Sequence, residues 1–264
     1  MTKNRPLRGA ETGPSKPLQH PPLSEVVFEI NFPRLFAVEN RIADYQQRLL
    51  EMYPDSGDEF VLHLPPAVAF GKGPKPEGNV TPVRSFVFKN KTNSRVVRVS
   101  VVYFNLLVSD YLHFDDYKRA LMAALDPAIE IFQLSRVERV GLRYINKIPI
   151  PKRDAARAYR EYVRSPIDTK LFTPHQINSF LTEISIDLAK NKKLTIRSGL
   201  LPILSGSDTQ TYLVDLDCSS PESVILSGPE IISLLDEYHE SIESEFKRAM
   251  TDKYWSHIAE GMPM

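Results

Sequence analysis

Two arginines and an asparagine on one predicted strand have the types and spacing of an anion-binding set. The strand is predicted over 137–148 and ends at Pro149. Alternation places Arg139 and Arg143 on one face, about 13 Å apart at roughly 3.3 Å per residue, and Asn146 on the other. A guanidinium offers a planar pair of donors to a phosphate or carboxylate. The alternative, which we favour, pairs each arginine with a carboxylate across the sheet and lets Asn146 bond a loop, because buried polar groups are usually satisfied within the fold.

Three aspartates in the second half of the chain could hold a divalent cation. Asp187 lies in a strand predicted over 181–188, and Asp215 and Asp217 lie in one predicted over 211–218. Clustered carboxylate oxygens suit Mg²⁺, which would support metal-dependent phosphoryl transfer. A sheet that is solvated on one side also displays alternating acids. We favour this second interpretation, which predicts no metal.

The same alternation separates an apolar face from a polar face in this part of the chain. The apolar face opposite Asp215 and Asp217 comprises Tyr212, Val214, Leu216 and Cys218. A strand predicted over 194–199 is expected to add Thr195 and Arg197 to the polar face. Cys218 is therefore predicted to be a small core residue.

A predicted helix over 154–164 carries a stripe of arginines spaced by four, three and four residues. The four are Arg153, Arg157, Arg160 and Arg164. Such a stripe could follow a nucleic-acid backbone, with affinity that falls as salt rises, and Tyr159 and Tyr162 could serve as stacking platforms. A solvated helix face that pairs with Asp154 and Glu161 explains the same pattern.

No catalytic set with a recognisable spacing accompanies these features. The chain contains no G-x-S-x-G motif, and the glycines at 71–74 are not followed by the serine or threonine of a phosphate loop. His239 falls on the apolar stripe of a helix predicted over 230–250, without a second histidine or cysteine at metal spacing. We therefore expect a half-buried core histidine, no cofactor and no enzymatic activity.

Composition indicates a cytoplasmic protein that does not enter membranes. Among 264 residues, Lys and Arg total 33 and Asp and Glu total 33, so no overall field attracts nucleic acid or an anionic membrane. The single cysteine excludes an intrachain disulfide. No run reaches the roughly 18 apolar residues of a spanning helix, and the N-terminal basic residues lack the apolar stretch of a signal peptide.

The first half of the chain combines strands and helices. Residues 1–21 are rich in proline, glycine and charge and predict a flexible tail, and 22–150 form the first α+β half. Its predicted elements are a strand over 23–32, a helix over 38–52, a strand over 59–64, a loop over 65–82, a hairpin of 85–89 with 95–108, a helix over 117–132 and the strand over 137–148. The arm over 95–108 is expected to be a central strand covered on both faces, and Pro127 to kink or split its helix.

The second half, 151–264, repeats this succession and is expected to pack on the first. Strands predicted within 181–218 follow the basic helix and lead into the helix over 230–250 and a last short helix after it. Because each half runs from strands into a long helix, a loose two-fold duplication is possible. Hairpins outnumber parallel crossovers, so we predict an α+β fold with mostly antiparallel sheets packed with long amphipathic helices.

Two segments resemble a known family. They read P-L-S-E-V-V-F-E-I at 22–30 and G-L-R-Y-I-N-K-I at 141–148, and a pattern of apolar, acidic and histidine residues at 235–252 supports them. The chain is similar, from residue 22 onward, to a sporadically distributed family of uncharacterised prokaryotic proteins. The resemblance implies no activity, cofactor or catalytic residue. A patchy distribution implies mobile or defence-linked gene neighbourhoods.

Three functional hypotheses follow. We prefer a non-enzymatic interaction or regulatory protein that binds a partner protein, because no catalytic set is present. The first alternative is a nucleic-acid-binding protein that uses the basic helix, with Arg143 as a further contact. The second is a metal-dependent phosphoryl-transfer enzyme that uses Asp187, Asp215 and Asp217.

Overall fold

A computed structural model describes most of the chain after the predicted tail. The described residues are 22–61, 82–151, 155–165, 167, 177–188, 192–203, 206, 208–220, 224–225 and 228–259. The predicted tail 1–21, residues 65–81 of the predicted loop, the 71–74 glycines, Arg153 and Asp154 lie outside these ranges.

The fold is built on a nine-stranded antiparallel sheet, which establishes the α+β class. Its strands are β1 (Leu23–Asn31), β2 (Asp55–Val61), β3 (Val83–Lys89), β4 (Arg95–Ser100), β5 (Tyr103–Val108), β7 (Arg139–Pro151), β8 (Thr182–Leu188), β9 (Lys192–Leu200) and β10 (Thr209–Ser220). They lie in the order β2-β3-β4-β5-β1-β7-β10-β9-β8. Two short strands, β6 (Arg136–Val137) and β11 (Val224–Ile225), form a separate pair.

Helices pack on one face of this sheet. They are α1 (Ala37–Leu49), α2 (Phe114–Phe132), α3 (Ala155–Tyr162), α4 (Gly228–Ala249) and α5 (Asp252–Ala259). Tyr45 of α1 contacts Phe88 of β3, His239 of α4 contacts Tyr144 of β7, and α2 packs on β5. In the described part of the chain, no helix has both the length and the apolar character needed to cross a membrane.

The two faces of the sheet differ in what they carry. Residues that point toward the helices, such as Val26, Phe28 and Leu142, are fully buried and form the core. The opposite face, which we call the open face, is covered by none of the packed helices described above. Residues on it include Glu25, Val27, Glu29, Arg98, Tyr103, Asn105, Leu107, Arg139, Arg143, Ile145, Asp215 and Asp217, as the strand pairing places them.

The segment 95–108 forms two strands, so the prediction of a single central strand is wrong. β4 and β5 pair with each other, with Val99 opposite Phe104. The buried Ser100 makes the turn, because its hydroxyl accepts hydrogen bonds from the backbone N–H groups of Val102, at 3.2 Å, and Tyr103, at 3.1 Å. A serine that satisfies turn amides replaces the glycine or proline that would have marked the turn in the sequence.

Pro127 was predicted to kink or split its helix. Helix α2 runs without a break through this residue, so the predicted split is wrong and the kink stays a prediction. Proline removes one backbone donor from the helix. Burial on both sides of it, at Leu125 and Ala128, holds the segment against the core. The hydroxyl of Tyr45 also donates to the carbonyl oxygen of Ala124 at 2.8 Å, which ties this turn to α1.

Two successive stretches of the chain have similar topologies within one sheet. Residues 23–132 run β1, α1, a four-strand meander from β2 to β5, and α2, and residues 139–249 run β7, α3, a three-strand meander from β8 to β10, and α4, so β7 groups with the second stretch although it lies within the predicted first half. β1 and β7 pair antiparallel at the middle of the sheet, with β5 beside β1 and β10 beside β7. β2 and β8 form the two edges. This order has an approximate two-fold relation about the β1–β7 pair.

Candidate binding groove on the open sheet face

A groove of about 490 Å³ lies on the open face. Its apolar lining comprises Val27, Val61, Leu107 and Ile145. Its charged and amide lining comprises Glu25, Glu29, Glu59, Arg98, Asn105 and Arg143. β2 and β7 both contribute, although they are five strands apart in the sheet, about 24 Å at ~4.8 Å per strand if the sheet were flat. The groove therefore runs across several strands of the sheet.

Apolar side chains occupy the middle of the groove. Val27 on β1 lies between Leu107 on β5 and Arg143 on β7 in the strand pairing. Ile145 is the next residue of β7 on this face and pairs with Glu25. All three apolar side chains are partly exposed. The groove thus offers a small apolar floor surrounded by charged groups.

The two arginines of the groove each have a close carboxylate. Arg98 donates through Nε to Glu59 Oε1 at 2.9 Å. Arg143 donates through Nε and Nη2 to the two carboxylate oxygens of Asp215, both at 2.8 Å. Burial alone would lower the pKa of Arg143, but hydrogen bonding to Asp215 and the charge of that carboxylate raise it above its ordinary value. Some N–H groups of these arginines donate no hydrogen bond to any described residue. They are the two terminal nitrogens of Arg98 and the Nη1 of Arg143, and they remain able to bind a ligand.

Glu29 has several donors around it but no short contact. The nearest described donors are Asn105 Nδ2 at 3.3 Å, Asn31 Nδ2 at 3.4 Å and Arg139 Nη1 at 3.7 Å. Glu25 lies 3.4 Å from the ammonium of Lys147. Charge-assisted hydrogen bonds typically measure about 2.7–2.9 Å. The carboxylates of β1 are therefore less well compensated than the two arginines.

Asn105 leaves a hydrogen-bond acceptor without a partner beside Glu29. Its Nδ2 donates to Glu29 Oε2, and a carboxylate only accepts, so this contact fixes the orientation of the amide. Its Oδ1 is buried and has no hydrogen-bond partner among the described residues. An unmet buried acceptor costs about 1–3 kcal/mol. The free protein thus keeps an unsatisfied acceptor in the lining of the groove.

Arg139 lies beside the groove and is paired with Asp217. Its Nη2 donates to the two Asp217 oxygens at 3.0 and 3.2 Å. The guanidinium reaches this position by lying over Gly141, where an added Cβ would come within 2.7 Å of Arg139 Nη1. Glycine at 141 therefore permits the pairing. The carboxylate pairing favoured from the sequence describes Arg139 and Arg143 in this structure.

Asp215 belongs to a series of ion pairs across four adjacent strands, which we call the ion-pair ladder. Its members are Glu183 of β8, Arg197 of β9, Asp215 of β10 and Arg143 of β7. Arg197 Nε donates to Glu183 Oε2 at 2.9 Å, and its Nη1 lies 3.4 Å from Asp215 Oδ2. Asp215 is 1% exposed, so the expectation that this acid is solvated is wrong. The paired guanidinium groups exclude water from it.

The predicted apolar and polar faces of β10 are confirmed. Val214 and Leu216 of the apolar face are buried. On the polar face, the strand pairing sets Arg197 opposite Asp215 and Thr195 opposite Asp217. Asp217 is also buried, at 9% exposure.

The predicted metal ligands are not brought together. Asp187 lies on the edge strand β8 and pairs in register with Lys193, whereas Asp215 and Asp217 lie two strands away and accept from arginines. The described ranges contain no group of three or more His, Cys, Asp or Glu residues placed to hold a metal ion.

Asn146 points to the covered face and bonds a neighbouring strand. Its Nδ2 donates to the carbonyl oxygen of Val214 at 3.1 Å, and the side chain is 4% exposed. The expectation that it bonds a loop is wrong, because β10 continues alongside β7 at this position. Asn146 therefore ties two central strands and does not reach the open face.

Two arginines of the basic stripe contact backbone carbonyls of their own chain. Arg160 Nη2 lies 3.4 Å from the carbonyl oxygen of Ile167, and Arg164 Nη1 donates to that of Arg248 at 3.1 Å. Tyr159 and Tyr162 are buried, so the prediction that they are stacking platforms is wrong. Tyr159 instead stacks on Tyr212 of β10. Arg157 belongs to α3, but its side chain is not among those that the structure describes.

Cys218 lies in the core and His239 is half-buried against it, as predicted. His239 Nδ1 is 2.9 Å from the Tyr144 hydroxyl, its ring stacks on Phe114 at 3.9 Å, and burial lowers its pKa. Cys218 is fully buried, and burial raises the pKa of its thiol to about 12.

The groove residues Glu29, Arg98 and Asn105 were not singled out from the sequence. Each is a polar residue at an alternate position of an otherwise apolar strand, which is the signal that could have found them. Their assembly depends on the order of the strands, which the sequence does not state. The chain matches no protein-family model, and no curated protein matches it either.

Proposed function

We propose that this protein is a non-enzymatic interaction protein that receives a partner protein on the open face of its sheet, centred on the groove. The observation that carries the proposal is the groove itself, in which an apolar floor is bordered by donors and an acceptor that the described chain leaves unused. Sheets normally bury at least one face in their own core and leave a second face to solvent or to a partner. A groove on this second face with a mixed apolar and polar lining suits recognition.

The remaining titratable groups support binding over catalysis. The thiol of Cys218 is buried and has a raised pKa, which disfavours a thiolate nucleophile. The imidazole of His239 is engaged by Tyr144 and Phe114. The central carboxylates on β10 accept from arginines. These contacts stabilise the fold and leave the groove as the feature available for a ligand.

The two alternative functions receive less support. Nucleic-acid binding through α3 is less favoured because Tyr159 and Tyr162 are buried, and because Arg160 and Arg164 each already contact a carbonyl oxygen of their own chain. Phosphoryl transfer would need a cation to displace the guanidinium groups of Arg139 and Arg143 from Asp217 and Asp215. The family resemblance adds that the protein itself comes from a mobile or defence-linked locus, which is part of the proposal.

The proposal is tested by blocking the groove with a bulky side chain. Ile145→Trp fills the apolar floor, and Ile232→Trp makes the same change at an exposed position of α4, on the helix side. Tagged wild type and both variants are purified from the protein's own host cells, and retained proteins are identified by mass spectrometry. Affinity is then measured by calorimetry with the purified partner.

We expect wild type and Ile232→Trp to bind the same partner and Ile145→Trp to lose it, with similar melting temperatures for all three. A partner that binds Ile145→Trp as tightly as wild type would contradict the proposal. So would the absence of any specific partner.

A further inference from the structure

We infer that the groove recognises a lysine or arginine side chain of the partner protein, an inference that rests on the proposed function. The occupant is chosen by charge complementarity within the lining. Three glutamates and two arginines line the groove, so its formal charge is negative. The decisive point is which of these charges already has a close partner.

Both arginines and Glu59 have a short charged contact, whereas Glu25 and Glu29 have only longer ones. Arg98 and Arg143 contact carboxylates at 2.9 and 2.8 Å. Glu29 and Glu25 have no described donor nearer than 3.3 and 3.4 Å. An arriving cation would therefore form the first short charge-assisted contact on β1, whereas an arriving carboxylate would meet arginines that are already paired.

The hydrogen-bonding atoms beside Glu29 also call for a donor. Glu29 and Asn105 are direct partners in the β1–β5 pairing, where Glu29 offers its carboxylate and Asn105 keeps a buried, unsatisfied Oδ1. An ammonium carries three donors and a guanidinium five, with no acceptor. One cationic head can therefore give Glu29 the short, charge-assisted contact that it lacks in the described chain.

The apolar floor suits the stem of such a side chain. Val27 lies two residues before Glu29 on the same face of β1, about 6.6 Å along the strand, and Leu107 lies beside Val27. Lysine and arginine pack their methylene stems on apolar surface while their heads remain hydrogen-bonded. The unused N–H groups of Arg98 and Arg143 would then donate to backbone carbonyls of the bound segment.

The inference is tested by nuclear magnetic resonance titration of the full chain with small probes. The probes are N-acetyl-arginine methylamide, its near-isosteric neutral counterpart N-acetyl-citrulline methylamide, and N-acetyl-glutamate methylamide. We expect saturable shifts of the Val27, Glu29 and Asn105 amides with the arginine probe, and binding weaker by about tenfold or more with the other two, because a hydrogen bond to a charged group is lost. Rising salt should weaken the arginine probe's binding.

Matched variants assign the effect to the groove. Glu29→Gln keeps the shape of the side chain and its contact with Asn105, and should weaken the arginine probe by about tenfold or more. Glu240→Gln makes the same change at an exposed position of α4 and should leave binding unchanged. Equal binding of the citrulline probe, no effect of Glu29→Gln, or no saturable shift in the groove would overturn the inference.

The same variants separate this inference from the proposed function. If Ile145→Trp abolishes partner binding but Glu29→Gln leaves the partner's Kd unchanged, the cation is not what is recognised and the proposed function stands. If Ile145→Trp has no effect on the partner, the proposed function fails and the inference fails with it.

Discussion

Asp215 carries its charge on a sheet face that no described helix covers, yet its side chain is 1% exposed. Arg143 and Arg197 lie over it from the two neighbouring strands. A buried carboxylate is tolerated only when it is paired and hydrogen-bonded. Arg143 is itself 39% exposed, but because it pairs with the buried Asp215 we expect it to contribute more to the stability of the fold than an exposed arginine would.

Replacement of Arg143 by methionine should destabilise the protein by about 2–4 kcal/mol, because it leaves the buried Asp215 with one distant guanidinium. Urea unfolding measures the change. Arg84→Met is the control, since the Arg84–Asp58 contact is also short, at 2.9 Å, but both side chains are more than 40% exposed. It should cost about 0–1 kcal/mol. Equal losses in the two variants would contradict the account of the ion-pair ladder.

His239 should make stability depend on pH. Burial lowers its pKa below the ordinary value, with Lys118 and Lys247 acting in the same direction and Glu243 and Asp236 opposing. The unfolded chain then takes up the proton first, so stability is complete above about pH 6.5 and declines as pH falls toward the lower folded pKa.

Unfolding free energies measured from neutral to mildly acidic pH should show this decline in wild type and a shallower one in His239→Gln. Parallel curves for the two proteins would show that the imidazole does not titrate as argued.

At the scale of elements, the strand faces could be predicted but one turn could not. Alternation correctly placed Asp215 and Asp217 opposite Val214 and Leu216, because one face of β10 packs on helices. The β4–β5 turn was missed because it lies within a continuous run of β-branched residues. Its only mark is Ser100, whose side chain acts as the local acceptor.

Ser100→Ala should destabilise the β4–β5 hairpin by about 1–3 kcal/mol, because two backbone N–H groups lose their acceptor at a buried site. Thermal and urea unfolding provide the measurement. Ser94→Ala, in the neighbouring β3–β4 turn where the serine is more accessible, serves as the comparison and should cost less. A neutral Ser100→Ala would mean that the turn is held by its strand pairing alone.

At the scale of the whole molecule, the order of the strands creates the groove. Ser24 and Ile145 are 121 residues apart in sequence but are hydrogen-bonded across β1 and β7. Pairings at such separations leave no local signal in the sequence. Alternation could therefore predict that Glu29 faces away from the core, but it could not predict that Asn105 and Arg98 are its neighbours. The two-fold topology does not extend to surface chemistry, because the groove is lined from β2 to β7 and the ion-pair ladder runs from β7 to β8, with Arg143 common to both. The duplication remains a proposal.

The central claim is that the open face contacts the partner, and carboxyl footprinting tests it most directly. The purified protein is labelled with a carbodiimide and an amine, alone and with the partner, and each carboxylate is quantified by mass spectrometry. Glu25, Glu29 and Glu59 are 31, 29 and 45% exposed and are accessible to label in the free protein. The account predicts that the partner protects all three while Glu240 on α4 stays labelled. Unchanged labelling in the groove, with protection on the helix side, would contradict it.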